Sequence, residues 1–167
     1  WARVGVTITD SFVSNANISG GTYVGGLVGE QRRSTVQINR SYAGGSGKTN
    51  VIGGSFVGGL VGEMIGGYIT NSYYEGNITA TSNYGGIVGF LKPGAYLSNT
   101  FYNLNTSLIN GAPTLTIGGL YNAQFTDWIN SNPANVSARS LSIGSYFDLD
   151  NADGYYTIGT SNAADGT

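Results

Sequence analysis

A heptapeptide that keeps returning in step constrains this chain more than any other feature. Val24-Gly25-Gly26-Leu27-Val28-Gly29-Glu30 comes back as Val57-Gly58-Gly59-Leu60-Val61-Gly62-Glu63 and as Tyr84-Gly85-Gly86-Ile87-Val88-Gly89-Phe90. A worn copy follows at Ile117-Gly118-Gly119-Leu120-Tyr121, and the first glycines are spaced by 33, 27 and 33 residues. A second element, Ile8-Thr9-Asp10-Ser11-Phe12, recurs at 38–42, 69–73 and 97–101, its aromatic residue advancing by 30, 31 and 28. A third and shorter one is Ala16-Asn17-Ile18-Ser19, then Gly76-Asn77-Ile78-Thr79 and Thr106-Ser107-Leu108-Ile109. Period lengths of roughly 20 to 50 residues mark units that cannot bury an apolar face alone and must stack on their neighbours.

Each element is short, rich in β-branched or aromatic residues and bounded by Gly, Asn or Ser, which is the pattern of a strand. Stacked about 4.8 Å apart in parallel, equivalent strands would carry aliphatic ladders inward and Asn, Ser and Thr ladders outward. The expectation is an all-β fold, a right-handed parallel β-helix with about three short strands per coil and about four coils. Gly-Gly would turn corners where a Cβ would clash, and Asn71 and Asn99 would take left-handed corners and pass amide hydrogen bonds along the stack. The rings at Phe12, Tyr42, Tyr73 and Phe101 keep the period and read as a core or corner ladder, whereas Tyr74, Tyr84 and Tyr102 read as exposed rings able to stack on a sugar. Glu30 and Glu63 end equivalent strands and read as neighbours at a solvated corner.

Residues 1–122 form the repeat region, 123–160 a continuation or cap of the same domain, and 161–167 a flexible tail. At most one short helix is expected, near residues 122–130, where Asn122 could cap a turn ahead of Phe125, Trp128 and Ile129; its role would be to cover a side or end of the solenoid. Starting at Trp1 without a charged and apolar leader, the sequence reads as an internal segment of a larger protein, and it has no apolar run near the roughly 18 residues of a membrane span.

With no Cys and no His, disulfides, thiolate or imidazole metal sites and the common catalytic triads are excluded. Seven basic against nine acidic residues leave a net charge of −2 without a basic stripe, so nucleic acid is not an expected partner. Arg32, Arg33 and Arg40 read as a solvated loop cluster, and Gly44-Gly45-Ser46-Gly47-Lys48-Thr49 lacks the spacing and following helix of a phosphate loop. Asp148, Asp150 and Asp153, before Gly154, gather as oxygen-ligand calcium loops do, although Ala152 interrupts the spacing; Ca²⁺ is the one cofactor the sequence raises. The same acids could serve a carbohydrate-active enzyme, since paired carboxylates run glycoside hydrolysis. Sequons at Asn17, Asn39, Asn77, Asn105 and Asn135 follow from a chain rich in Asn, Ser and Thr.

Val-Gly-Gly-Leu-Val-Gly followed by Ile-x-Asn-Ser-Tyr and a short Gly-x-Ile-Thr strand resembles the GLUG repeat of very large bacterial exoproteins, including filamentous-haemagglutinin-like adhesins secreted by the two-partner route. The resemblance spans roughly residues 5 to 122. It implies an extracellular or cell-surface β-helical passenger acting in attachment or biofilm, with a host or neighbouring-cell glycan or protein as partner and no membrane insertion. It brings no catalytic residue. Two competing expectations stand beside it: a filament subunit that stacks end to end, and a carbohydrate-active β-helix enzyme.

Overall fold

A computed structural model of the chain describes residues 5–44 and 47–129, together with the backbone of 148–149 and 156–157. The first coil comprises β1 (Thr7–Thr9), β2 (Phe12–Val13), β3 (Asn17–Ser19), β4 (Thr22–Gly25) and β5 (Val28–Gln31). The second comprises β6 (Gln37–Asn39), β7 (Tyr42–Ala43), β8 (Asn50–Gly58) and β9 (Val61–Met64), and the third β10 (Gly67–Tyr74), β11 (Ile78–Gly85) and β12 (Val88–Leu91). Then come β13 (Ala95–Asn103), β14 (Gly119–Leu120) and the helix α1 (Asn122–Ile129), with an antiparallel pair of β15 (Asp148–Leu149) and β16 (Tyr156–Thr157) further on.

Equivalent strands pair in parallel, in register, into three sheets that form a β-solenoid of about three turns. β1, β6, β10 and β13 make the first sheet, which β2 and β7 extend alongside β10. β3 and β4 with β8 and β11 make the second, and β5, β9 and β12 the third. The repeat spacing is the register: Phe12 lies on Tyr42, Tyr42 on Tyr73 and Tyr73 on Phe101, while Gly25 lies on Gly58 and Gly58 on Gly85. The sequence between the aromatic and glycine elements is three residues longer in the second coil than in the first, so the glycine interval there exceeds the aromatic one.

Every aliphatic column faces the interior. Ile38, Ile69, Val51, Val57, Leu60, Val61, Met64 and Ile87 are fully buried in one continuous core, and burial of such side chains stabilises by about 1.5–3 kcal/mol each. The glycines of the heptapeptide serve close approach. A Cβ on Gly58 would overlap the Val61 carbonyl across the turn between the second and third sheets, and one on Gly59 or Gly86 would overlap the ring of Tyr74 or Tyr102. Gly59 and Gly86 are therefore the floors on which the interior rings of Tyr74 and Tyr102 lie, while Gly26 of the first coil meets the smaller Ala43.

The fourth glycine pair does not continue this stack. Gly119 and Leu120 pair with Tyr102 and Asn103 of the first sheet, not with the strand that carries Gly85. The expected fourth coil is thus cut short: only Ile109 bridges to Ile78, while Asn110 exchanges side-chain hydrogen bonds with the backbone of Ala80. At the opposite end, β1 to β5 each have strand partners on one side only among the described residues, leaving a cavity of about 570 Å³ beside Ile8, Leu27, Val28 and Glu30.

α1 forms where the sequence places it, although the residue before it caps it. Tyr121 C=O accepts from Phe125 N–H, and Gln124 Oε1 accepts from Tyr121 N–H, one half of a capping box. Asn122 is the first helical residue, and its Oδ1 accepts instead from Asn103 Nδ2 at 2.8 Å. The helix buries Phe125 and Ile129 against Tyr42 and Tyr73, so it covers a side of the solenoid.

Candidate functional site

The outward face of the first sheet gathers the groups best suited to contact. Because Ile8, Ile38, Ile69 and Leu97 point inward, the residues on either side of them point outward. One outward column is Thr7, Gln37, Tyr68 and Tyr96, and the next is Thr9, Asn39, Thr70 and Ser98. Tyr68 and Tyr96 are 44% and 57% exposed, and their rings stack at 5.4 Å and 16°. The corner after these columns, Asp10, Arg40, Asn71 and Asn99, is left-handed at every level, with φ between 48° and 54°. The expected amide ladder is present there: Asn99 Nδ2 donates to Asn71 Oδ1 at 3.3 Å, and Asn71 Nδ2 to Asn39 Oδ1 at 2.9 Å, which also accepts from Thr70 Oγ1. Trp128 of α1 closes the ladder by donating its indole N–H to Asn99 Oδ1.

Past this corner the expected positions of the tyrosines are partly reversed. Tyr74 and Tyr102 are fully buried, not exposed, and Tyr84 alone of the three reaches solvent, at 39%. Strict alternation from Ile69 would send Tyr73 inward and Tyr74 outward, but the left-handed residue Asn71 resets the pleat. Tyr73 consequently faces α1, and Tyr74 enters the core with its Oη 2.8 Å from Thr49 O. Tyr102 follows the same rule and donates to Thr114 O at 2.7 Å. The column Phe12, Tyr42, Tyr73 forms an outward stack, with centroids 5.2 and 4.8 Å apart, and α1 covers its Tyr42 and Tyr73 while Phe12 stays 49% exposed. Sequence reading missed Tyr68 and Tyr96, although alternation counted one residue upstream from the inward Ile69 and Leu97 would have found them.

The third sheet places Glu30 on Glu63, as the spacing implied, but not at a solvated corner: their side chains are 11% and 6% exposed. Arg32 Nη2 reaches Glu30 Oε1 at 2.6 Å, and its hydrogen bond holds that carboxyl below the usual range; Lys92 Nζ lies 3.6 Å from Glu63 Oε1. The Tyr23–Phe56 stack and the Phe56–Phe90 edge contact lie on the same flank. Arg32 and Arg40 are thus engaged separately, Arg40 pairing with Asp10 at 2.7 Å and thereby lowering that carboxyl as well.

Among the described residues, Glu75 is the one buried carboxylate with a large upward shift. Burial raises it to about 7, partly offset by Lys48 nearby, and its Oε2 has no hydrogen-bond partner. Lys48 Nζ, examined above as a phosphate ligand, donates instead to Thr106 O at 2.8 Å. The sequon residues carry structural hydrogen bonds: Asn17 Oδ1 accepts from Asn50, Asn39 Oδ1 from Thr70 and Asn71, Asn77 Oδ1 from Leu108 N–H, and Asn105 Oδ1 from Asn122 N–H; Asn135 lies outside the described residues. Of the calcium candidates, Asp148 is described by its backbone alone, within β15, and Asp150 and Asp153 lie outside the described residues. Among the described residues, no group of three or more acids is close enough to hold a metal ion.

Comparison with known families, characterised proteins and solved structures finds no match to this chain.

Proposed function

We propose that this chain is a structural and adhesive segment of an exported bacterial surface protein, a β-solenoid stalk whose outward columns meet a glycan or protein on a host or neighbouring cell. The observation that supports it best is the register. Coils stacked residue on residue turn each outward position into a straight column, so a contact made at one coil repeats at the next along a flat, nearly uncharged face. The GLUG-like heptapeptide agrees with this reading and with an extracellular location. Displaying residues 1–167 on a non-adherent bacterium should confer attachment to eukaryotic cells, other bacteria or abiotic glycan-coated surfaces. A folded chain that confers none would refute the reading.

End-to-end self-assembly is the second reading, favoured by the one-sided strands β1 to β5 and the open cavity beside them. The other end is partly covered by Ile109, Asn110 and β14, which favours a limited oligomer over a long filament. Sedimentation across a concentration series separates these outcomes. A carbohydrate-active enzyme is the third reading, resting on Asp148, Asp150 and Asp153; the acids that the fold stacks, Glu30 and Glu63, are already engaged by cations.

A further inference from the structure

From the outward face of the first sheet we infer a specific binding site: Tyr68, Tyr96 and the hydroxyl and amide column beside them take a neutral polysaccharide chain. The inference rests on the adhesive reading and names the ligand class for it. Two large rings 44% and 57% exposed on a sheet face are a feature to be explained, because their burial would be favourable and α1 covers Tyr42 and Tyr73 of the neighbouring aromatic column. The coil does not require them. Thr7 and Gln37 occupy the same column in the first two coils, which close with the same register. The rings thus stand where the fold accepts a small or polar residue.

Their surroundings select the ligand. Beside the two rings lie the uncharged hydroxyls of Thr70 and Ser98; Thr70 donates its own to Asn39 Oδ1 and can still accept, and Ser98 can do both. At the corner beside the polar column Asp10 and Arg40 pair at 2.7 Å, so that corner offers an anionic polymer no uncompensated charge. The hydroxyls of Tyr68, Tyr96 and Ser98 have no hydrogen-bond partner among the described residues. A protein partner would look for a desolvated apolar centre with a polar rim. Two rings on successive coils, about 4.8 Å apart and each beside a hydroxyl, instead suit neighbouring units of a chain whose sugar rings present an apolar face and a hydroxyl edge.

The test uses the whole chain on an array of neutral polysaccharides (mannan, dextran, galactan and xylan), with polygalacturonate and dextran sulfate as anionic controls. The double variant Tyr68→Gln/Tyr96→Thr, which copies the residues of the lower coils, is run beside it, with circular dichroism melting of both proteins. The expected result is retention on at least one neutral polysaccharide that salt leaves unchanged, with the double variant bound at least about tenfold more weakly at an unaltered melting temperature. Three results would overturn the site: no retention on any neutral polysaccharide, retention on the anionic controls alone, or equal retention of the double variant. Cell attachment that survives both substitutions and is not competed by neutral polysaccharide would overturn the site while leaving the adhesive reading in place. Loss of attachment to every surface by the folded native chain would remove the adhesive reading itself.

Discussion

Glu75 is a residue whose chemistry opposes the fold around it. Its carboxyl is pushed up to about 7 by burial, whereas an unfolded chain leaves it near the ordinary 4.5. The folded chain therefore holds the proton more tightly, and this contribution to stability is full below the unfolded value, declines as pH rises from there, and is gone once pH has passed through the folded value. The shift corresponds to on the order of 3 kcal/mol. Glu75→Gln should remove that decline and make the protein more stable at neutral pH, as read by urea denaturation across pH. Asp10 and Glu30 act oppositely. Arg40 and Arg32 hold their carboxyls low, so their contribution is present at neutral pH and is lost only on acidification through and below the ordinary carboxylate range. A second residue-scale prediction concerns the glycine floors. Gly59→Ala sets a methyl group against the buried ring of Tyr74 and should cost about 1–3 kcal/mol in the same assay, whereas alanine at Gly21, where a Cβ meets nothing, should cost far less.

At the scale of the element, the helix and the aromatic ladder depend on each other. α1 has eight residues, too few to persist alone in water, so it is held by Phe125 and Ile129 packing on Tyr42 and Tyr73. Phe125→Ala should cost about 3–5 kcal/mol if the helix stays docked, and less if it detaches. Binding of a hydrophobic dye to the uncovered ladder distinguishes the two, since detachment exposes the rings of Tyr42 and Tyr73. The helix was legible in the sequence because Phe125, Trp128 and Ile129 follow a helical spacing. Its docking site was not, because that depends on the left-handed corner residues Arg40, Asn71 and Asn99 fixing which residue beyond each corner turns outward. Likewise, the worn copy at Gly118 looks like a fourth heptapeptide, yet Thr116 Oγ1 accepts from Gly86 N–H and Gly119 pairs back onto the first sheet.

Over the whole molecule, stability should be graded along the solenoid axis. β8, β9 and β10 pair with strands of the coils on both sides, whereas β1 to β5 have a neighbour on one side among the described residues. Hydrogen exchange should therefore protect Val51, Val57 and Ile69 longest and release the amides of the first coil earliest. Uniform protection along the axis would mean that the first coil's free edge is covered in solution, the signature expected of self-association.

Periodicity in the sequence determined the solenoid, the three-sheet cross-section and the register, because parallel stacking requires equivalent residues to coincide: the aromatic steps of 30, 31 and 28 are the observed pairings. The tertiary structure alone decided which side of the wall each ring occupies. A single left-handed residue inverts the alternation after it, sending Tyr74 and Tyr102 inward, turning Tyr73 to the helix and leaving Tyr68 and Tyr96, ahead of that residue, in the open. Backbone handedness at one corner leaves little trace in composition or spacing, and the number of complete coils likewise depends on where a worn repeat finds a better hydrogen-bonding partner than the strand below it.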